Sequence, residues 1–233
     1  MKPFFCFFGG KWRCAPRYPA PEYPLIVEPF AGGAGYATRY SERQVTLCEA
    51  DPVISALWRY LIRVKASEVR RLPDIQPGQD VRTLTKLPAE ARSLIGFWLN
   101  KGTNGPRNIP SRWMRDGTRP NSFWGPVIRA RIAEQVDGIR HWKVLDIYSE
   151  SPNLEATWFV DPPYQVAGTR YRYHDIDYTS LGRWCRARRG QVMVCENAGA
   201  SWLPFEPHIT IKALEGRGRA ATSVEVLWQG GIK

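Results

Sequence analysis

The stretch Trp158-Phe159-Val160-Asp161-Pro162-Pro163-Tyr164 joins three β-forming residues to an acid, two prolines and an aromatic residue. Residues 158–160 have the composition of a buried parallel strand. The strand has to end after Asp161, because proline lacks an N–H donor and fixes φ. Ligands of open α/β sheets bind outside the carboxyl ends of the strands, so this stretch predicts a site with a carboxylate, free carbonyls and an aromatic ring. On its own, the motif is equally compatible with a simple turn in which Asp161 caps a backbone amide.

The composition indicates a globular protein with a polyanionic partner. The 233 residues suffice for one large domain or for one domain with an insertion. Because 33 Lys and Arg residues oppose 22 Asp and Glu residues, the formal net charge is +11, which favours nucleic acid as the partner. A membrane is disfavoured, since no apolar run is long enough to span a bilayer.

Cysteine and histidine usage predicts neither a zinc site nor disulfides. The five cysteines and three histidines are scattered, without a Cys-x-x-Cys pair, so we expect no bound metal and free thiols in a reducing compartment. The apolar part of residues 1–8 is too short for a signal peptide, and Gly9-Gly10-Lys11 follows where a cleavage site would stand. We therefore expect a cytoplasmic protein.

Residues 25–65 predict the first half of a nucleotide-binding α/β sheet. A strand at residues 25–28 is followed by a glycine turn and a helix through Tyr40, then by a strand at residues 45–49 and a helix at residues 52–65. The glycine turn can bring backbone N–H groups close to a ligand, and Glu49 at a strand end suits ribose hydroxyls. Because both Gly-x-Gly-x-x-Gly and the phosphate-loop pattern are absent, the turn predicts a nucleoside-bearing cofactor without specifying it.

Residues 73–140 interrupt the alternation of strands and helices. Residues 88–101 predict a helix with one apolar face, and a long loop without regular structure follows. Residues 101–131 contain seven Lys or Arg and one acid, interleaved with asparagines and aromatic residues. Basic side chains match phosphates, whereas Asn and Arg can read base edges. We interpret this segment as a nucleic-acid-recognition insertion; the alternative is a solvated basic loop.

The sheet resumes after the insertion. Predicted elements are strands at residues 142–148, 158–161 and 191–195, a helix at residues 178–189, and a hairpin of residues 208–214 with residues 223–228. The basic, glycine-hinged loop at residues 165–172 can close over a substrate. Arg217 and Arg219 either form a plain hairpin tip or contact a phosphate backbone.

These parts together predict methyl transfer to an exocyclic amine, a poor nucleophile because its lone pair is delocalised into the base. The Asp161 carboxylate and the Pro162 carbonyl can accept its two N–H groups and direct the lone pair at a sulfonium methyl. Tyr164 can stack on a base flipped out of the duplex. Proximity to an activated methyl group supplies much of the remaining catalysis, so no covalent nucleophile is required.

Nearly the whole chain resembles the Dam-like DNA adenine-N6 methyltransferases of bacteria and bacteriophages, which use S-adenosylmethionine. The resemblance implies an α/β fold with a Rossmann-like S-adenosylmethionine-dependent methyltransferase sheet, formed by residues 1–72 and 141–233. Residues 73–140 are then a helical and loop target-recognition insertion. The expected protein is a cytoplasmic monomer in a bacterium or a phage-infected host cell, acting on double-stranded DNA with the target adenine flipped.

Five motifs carry this resemblance. In chain order they are Phe8-Gly9-Gly10-Lys11 (cofactor segment), Glu28-Pro29-Phe30-Ala31-Gly32 (methionine turn), Glu49-Ala50-Asp51 (ribose element), Asp146 (adenine contact) and Asp161-Pro162-Pro163-Tyr164 (catalytic signature). The implied cofactor-binding residues are Phe7, Lys11, Glu28, Pro29, Phe30, Ala31, Gly32, Gly33, Gly35, Glu49, Asp51, Asp146 and Asp161. The implied catalytic residues are Asp161, Pro162, Pro163 and Tyr164. The expected DNA-binding residues are Lys101, Asn104, Arg107, Asn108, Arg112, Arg115, Arg170 and Arg172.

The chain departs from the family pattern at several of these positions. Phe7 stands where the family has Trp, Glu49 replaces Asp, Asp51 replaces Asn, and Ala34 occupies the position of a glycine. Asp51 is also a suitable N-cap for a helix that begins at Pro52.

Related turns occur in RNA adenine and cytosine-N4 methyltransferases, which are therefore alternatives. A catalytically idle DNA-binding protein is an alternative from another class. Cytosine-C5 chemistry is disfavoured, because it needs a Pro-Cys nucleophile and the chain contains no Pro-Cys dipeptide.

Overall fold

A computed structural model describes residues 1–117, 120–151, 153–166, 168–214 and 220–232 of the chain. In these residues one sheet is formed by β1 (Leu25–Glu28), β2 (Gln44–Cys48), β3 (Lys143–Leu145), β4 (Ala156–Val160), β5 (Gly190–Asn197), β6 (Glu206–Leu214) and β7 (Ala220–Gly230). The order across this seven-stranded sheet is β3-β2-β1-β4-β5-β7-β6. The α/β class predicted from the sequence is therefore confirmed.

The sheet is mostly parallel. The strands from β3 to β5 pair in parallel, whereas β7 pairs antiparallel with β5 and with β6. The order along the chain reverses between β1 and β4, which places a crevice outside the carboxyl ends of these two neighbouring strands. Glu28 ends β1 and Asp161 directly follows β4, so both carboxylates lie at this crevice.

Helices cover both faces of the sheet. They are α1 (Pro52–Arg63), α2 (Ala66–Arg70), α3 (Ala89–Trp98), α4 (Arg112–Arg115), α5 (Pro126–Gln135) and α6 (Tyr178–Arg186). Strand β4 is buried along its whole length, and alternate side chains point to opposite faces. Phe159 packs into the core that includes α1, α3 and α5, while Trp158 and Val160 pack into the core beneath α6.

The segment 73–140 shares the core of the sheet. Leu94 of α3 and Ile132 of α5 belong to the same buried cluster as Ile26 of β1 and Leu57 of α1. The segment also holds the N-terminus in place, because the Trp98 indole N–H donates to the Phe4 carbonyl at 2.9 Å. Its predicted role in target recognition stays a prediction.

Two sequence-based expectations about secondary structure are wrong. The glycine turn is followed by a single 3₁₀ turn (Ala37–Tyr40) rather than by a regular helix. The chain enters β2 at Gln44, shortly after this turn. The basic stretch of residues 101–131 is not structureless, since it contains α4 and the start of α5. Both helices begin with favourable residues, Ser111 as a capping side chain and Pro126 in the first turn.

Within the described ranges, no helix is both long and apolar enough to cross a membrane.

Candidate active site

A cavity of about 380 Å³ lies at the carboxyl ends of β1 and β4, and we refer to it as the strand-end cavity. Every predicted cofactor-binding residue except Asp146 contributes to its lining. These residues are Phe7, Lys11, Glu28, Pro29, Phe30, Ala31, Gly32, Gly33, Gly35, Glu49, Asp51 and Asp161. Residues distant in the chain therefore meet where the reversal of strand order places a crevice.

Close packing joins the glycine turn to the N-terminal segment. A Cβ atom on Gly35 would lie 2.5 Å from the backbone nitrogen of Trp12 and 2.7 Å from that of Lys11. Gly32 has a φ of 45°, and a Cβ atom there would lie 2.8 Å from the ring of Phe7. Only glycine fits at both positions, and these contacts hold Phe7 over the turn and Lys11 beside β1.

Ala34 occupies a glycine position of the family pattern and still adopts the left-handed conformation, with a φ of 46°. This conformation costs an L-residue about 1–2 kcal/mol. The Ala34 carbonyl accepts the backbone N–H of Thr38 at 3.0 Å, which anchors the following 3₁₀ turn. Ala34 therefore adopts this conformation at a cost in stability.

Two carboxylates connect the turn to α1. Glu49 Oε2 accepts the N–H of Gly32 at 2.8 Å, and Oε1 accepts the N–H of Asp51 at 2.9 Å. Burial raises the pKa of Glu49. The Asp51 carboxylate accepts the N–H of Val53 at 2.8 Å, which confirms the predicted N-cap of α1. Both acids also line the strand-end cavity, so each combines a capping bond with exposure to a ligand.

Glu28 is a buried acid on the wall of the cavity. Its side chain is 2% exposed, and Oε1 accepts the N–H of Ala37 at 2.5 Å. Burial raises the pKa of Glu28 to about 8, despite the bond from Ala37, and the neighbouring charge of Asp161 adds to the rise. A cationic ligand in the cavity would favour the ionised form, because an opposite charge stabilises a carboxylate.

Lys11 holds Asp161 in place. The Lys11 Nζ lies 2.6 Å from Asp161 Oδ1, 2.7 Å from the Tyr164 hydroxyl oxygen and 3.5 Å from Glu225 Oε2. Burial by itself lowers the pKa of Lys11, but Asp161, Tyr164 and Glu225 outweigh burial and raise this pKa well above its ordinary value. Lys11 therefore stays charged. Asp161 Oδ2 accepts no hydrogen bond from the described residues and remains accessible from the cavity.

Glu225 of β7 was not predicted from the sequence. It is 3% exposed, its Oε2 accepts the Tyr164 hydroxyl at 3.0 Å, and its Oε1 accepts the Tyr18 hydroxyl. Burial raises the pKa of Glu225, and Lys11 opposes that rise. The sequence did contain one indication that Glu225 is a buried functional residue, since it is an acid between Val224 and Val226 in an apolar strand. Its partners Lys11 and Tyr18 lie at the other end of the chain, which the local pattern does not indicate.

Tyr164 is not among the residues that line the cavity, and its predicted stacking role stays a prediction. Its hydroxyl points to Lys11 and Glu225, and the Lys11 Nζ is 4.9 Å from the ring centroid. In this arrangement Tyr164 contacts Lys11 through both its hydroxyl and its ring. The aromatic side chains that do line the cavity are Phe7, Phe8, Phe30, Tyr148, Tyr171 and Tyr173.

Asp146 is not among the residues that line the cavity, and its predicted contact with the adenine of the cofactor stays a prediction. Its side chain is 68% exposed, and its Oδ1 accepts a hydrogen bond from Arg59 Nη2 at 2.9 Å. The ion pair with Arg59 of α1 draws the carboxylate away, and the next two residues, Ile147 and Tyr148, line the cavity instead.

The prolines connect Asp161 to the loop that covers the cavity. The Pro163 carbonyl accepts the Tyr178 hydroxyl at 2.7 Å, whereas the Pro162 carbonyl accepts no hydrogen bond from the part of the chain that the structure describes. Residues 171–176 complete the cavity lining, and the Tyr171 ring packs 5.7 Å from that of Phe8. Of the loop predicted to close over a substrate, residues 165–172, Tyr171 and Arg172 line the cavity, and Ala167 falls outside the described residues.

The predicted DNA-binding residues divide into three groups. Lys101, Asn104, Arg107 and Arg170 line a second cavity of about 320 Å³, the basic cleft, together with Phe8, Asn100, Gly102 and Thr103. Arg172 lines the strand-end cavity. Asn108, Arg112 and Arg115 are exposed and line neither cavity. Arg217 and Arg219 lie outside the described residues.

Comparison of the chain with models of known protein families and with curated proteins finds no match. The chemistry of the two cavities therefore carries the functional interpretation. In the described residues, no cluster of three or more His, Cys, Asp or Glu side chains is arranged to hold a metal ion.

Proposed function

We propose that the protein is a site-specific DNA methyltransferase that transfers a methyl group from S-adenosylmethionine to the N6 amine of a flipped adenine. One observation carries the proposal: the glycine turn with its carboxylates lines the same cavity as Asp161 and Pro163 at the end of β4. The mostly parallel sheet, with its reversal of order between β1 and β4, is compatible with the Rossmann-like fold that this function requires.

The lining of the strand-end cavity fits this cofactor, which carries an ammonium and a sulfonium charge. The cavity has the size of a small-molecule site and is lined by the carboxylates of Glu28, Glu49, Asp51, Asp161 and Asp175. Glu49 and Asp51 retain lone pairs that can accept ribose hydroxyls. Ile54, Ile147 and Tyr148 offer an apolar and aromatic surface for the adenine ring.

The catalytic step follows from the groups around Asp161. When bound, S-adenosylmethionine supplies a methyl group that its sulfonium sulfur has already activated. Asp161 Oδ2 and the Pro162 carbonyl accept the two N–H groups of the target amine, which draws the nitrogen lone pair out of conjugation with the base. Lys11 fixes the orientation of the Asp161 carboxylate before the reaction begins. The proton that the alkylated nitrogen loses passes to Asp161 and then to water.

The choice of nucleic acid as the substrate is supported by the net charge of +11 and by the basic cleft beside the strand-end cavity. DNA rather than RNA, adenine rather than cytosine, and action as a monomer follow from the resemblance to the Dam-like enzymes.

A labelling experiment tests the proposal. The protein is incubated with S-adenosylmethionine carrying a labelled methyl group and with duplex DNA, single-stranded DNA or RNA, and the modified nucleoside is then identified. We expect N6-methyladenine in duplex DNA, and a loss of at least about a hundredfold in rate for Asp161→Ala, because a preorganised acceptor is removed.

The matched control is Glu155→Ala. Glu155 is exposed at the opposite end of the same strand, about 20 Å from Asp161 at the rise of a β-strand. This variant should keep the wild-type rate. Label in cytosine, label in RNA alone, or an Asp161→Ala protein as active as the control would each contradict the proposal.

A further inference from the structure

The basic cleft is formed where three distant parts of the chain meet. Phe8 comes from the N-terminal segment, residues 100–104 and Arg107 come from the segment after α3, and Arg170 comes from the loop that follows Tyr164. The backbone N–H of Phe8 donates to the Thr103 carbonyl at 3.0 Å, and the Asn104 side-chain amide donates to the Arg170 carbonyl. These bonds connect all three parts of the chain.

The charge of the cleft is uncompensated. Lys101, Arg107 and Arg170 line it, no carboxylate does, and none of the three forms an ion pair with a described residue. Like charges that converge on one site repel each other unless an anion joins them. Unlike the strand-end cavity, the basic cleft therefore suits an anionic ligand.

Aromatic rings hold two of the three cations in position. The Arg170 guanidinium lies 5.5 Å from the ring centroid of Phe8, and the Lys101 Nζ lies 5.6 Å from that of Phe123. Cation–π contacts of this kind restrict the motion of long basic side chains. Less conformational entropy is then lost when a ligand binds.

A polar atom in the cleft lacks a partner. The Thr103 side chain is 6% exposed, and its buried hydroxyl makes no hydrogen bond to any residue that the structure describes. A buried hydroxyl without a partner is unfavourable, because it has lost water and gained nothing in exchange. Thr103 lines the cleft, but its hydroxyl oxygen is inaccessible to solvent, so the three cations are the groups that can contact an anion there.

We propose that the basic cleft binds a backbone phosphate of the nucleic acid, next to the nucleotide whose base enters the strand-end cavity. The inference rests on the proposed function for the identity of the polymer. The cleft and the cavity share Phe8 and Asn104, so a phosphate in one lies beside a ligand in the other. The basic cleft would then set the register of the strand, and sequence reading would occur elsewhere.

The test measures binding of a fluorescent duplex by anisotropy at several salt concentrations, without cofactor. For Arg107→Gln and for Arg170→Gln, we expect about tenfold weaker binding at low salt, because each removes a charge-assisted bond. The slope of log K against log salt should become shallower by about 0.9 for each lost phosphate contact.

Arg63→Gln is the matched control. Arg63 is exposed and lies at the far end of α1, about 18 Å from the cavity-lining Asp51 at the helical rise per residue. Thermal unfolding of each variant verifies that it is folded. Slopes for Arg107→Gln and Arg170→Gln that equal the slope of the control would overturn the inference.

Inorganic phosphate distinguishes a backbone phosphate from a free one. At equal ionic strength, it should displace the duplex no better than chloride does. Tight binding of inorganic phosphate that Arg107→Gln abolishes would overturn the assignment to a polymer. The binding measurements contain no cofactor and therefore do not depend on methylation. The inference and the proposed function can thus be refuted independently of each other. If the protein methylates DNA but the salt slopes of the Arg107→Gln and Arg170→Gln variants equal the wild-type slope, only the phosphate-binding inference is wrong. If the protein never methylates DNA but these variants have shallower slopes, only the proposed function is wrong.

Discussion

The strand-end cavity and the basic cleft are neighbours that share Phe8 and Asn104, yet their charges are opposite. Five acids and two of the Lys and Arg side chains line the cavity, whereas three cations and no acid line the cleft. Four of these five acids lie at or just after strand ends and bond to the backbone or to Lys11; they are Glu28, Glu49, Asp51 and Asp161. Cations of the cleft come from loops, and their charges are unpaired within the described residues. Two ligands of opposite charge can therefore bind side by side.

The largest expected effect on stability and activity comes from removing the buried cation of the strand-end cavity without changing the basic cleft. Lys11→Met leaves Asp161 and Glu225 without their buried cation, and removing one partner of a buried ion pair costs about 3–5 kcal/mol. We expect the free energy of unfolding, measured with urea, to fall by about 3 kcal/mol. Methylation should be lost, while the salt slope of DNA binding by the folded fraction should stay unchanged.

Lys86→Met serves as the control for this change, because Lys86 is exposed and forms no ion pair with the described residues. Its free energy of unfolding should stay within about 0.5 kcal/mol of the wild type. Glu225→Gln in the Lys11→Met background should restore part of the lost stability, since one unpaired charge is removed. A Lys11→Met protein as stable as the control would show that this pair does not hold the site together.

An intermediate effect concerns the pH dependence of stability. The pKa of Glu28 is about 8 in the folded protein, against an ordinary value of 4.5. The folded state therefore binds the proton of the Glu28 carboxyl group more tightly than the unfolded state does. The stabilisation that results from this difference is fully present below pH 4.5. As the pH rises from 4.5 to 8, the unfolded state loses the proton first, so stability falls by at most about 1.4 kcal/mol per pH unit.

Glu28→Gln isolates this contribution, because glutamine does not titrate and still offers an oxygen to the N–H of Ala37. Urea denaturation of both proteins from pH 5 to pH 8 should show a flatter curve for the variant. The cavity interpretation also predicts that cofactor binding at pH 7 releases a proton from Glu28, detectable by calorimetry in buffers of different ionisation enthalpy. Parallel pH curves for the two proteins would contradict the assignment.

The smallest expected effect sharpens the boundary of the strand-end cavity. Asp146→Asn removes only the exposed ion pair with Arg59, which is worth at most about 1 kcal/mol. We expect the affinity for S-adenosylmethionine, measured by calorimetry, to change by less than about twofold. A tenfold loss would mean that Asp146 turns into the cavity when the cofactor binds.

Local features of the sequence predicted much of the fold and of the cavity wall. Glycine at positions 32, 33 and 35, prolines at positions 162 and 163, and an acid at each strand end act through backbone geometry within a few residues. Periodicity predicted α1 and its N-cap Asp51 for the same reason. Secondary structure within residues 101–131 was missed, because short helices such as α4 depend on caps more than on periodicity.

The sequence by itself determined which backbone segments end at the cavity and which acids they carry there. Only the tertiary structure decided where the side chains point. The Tyr164 hydroxyl turns to Lys11 and Glu225 because buried polar groups must pair, whereas the exposed Asp146 forms a surface ion pair with Arg59. Thr103 and Arg170 meet in the basic cleft although they are far apart in the chain. Such pairings are long-range, and no local propensity encodes them.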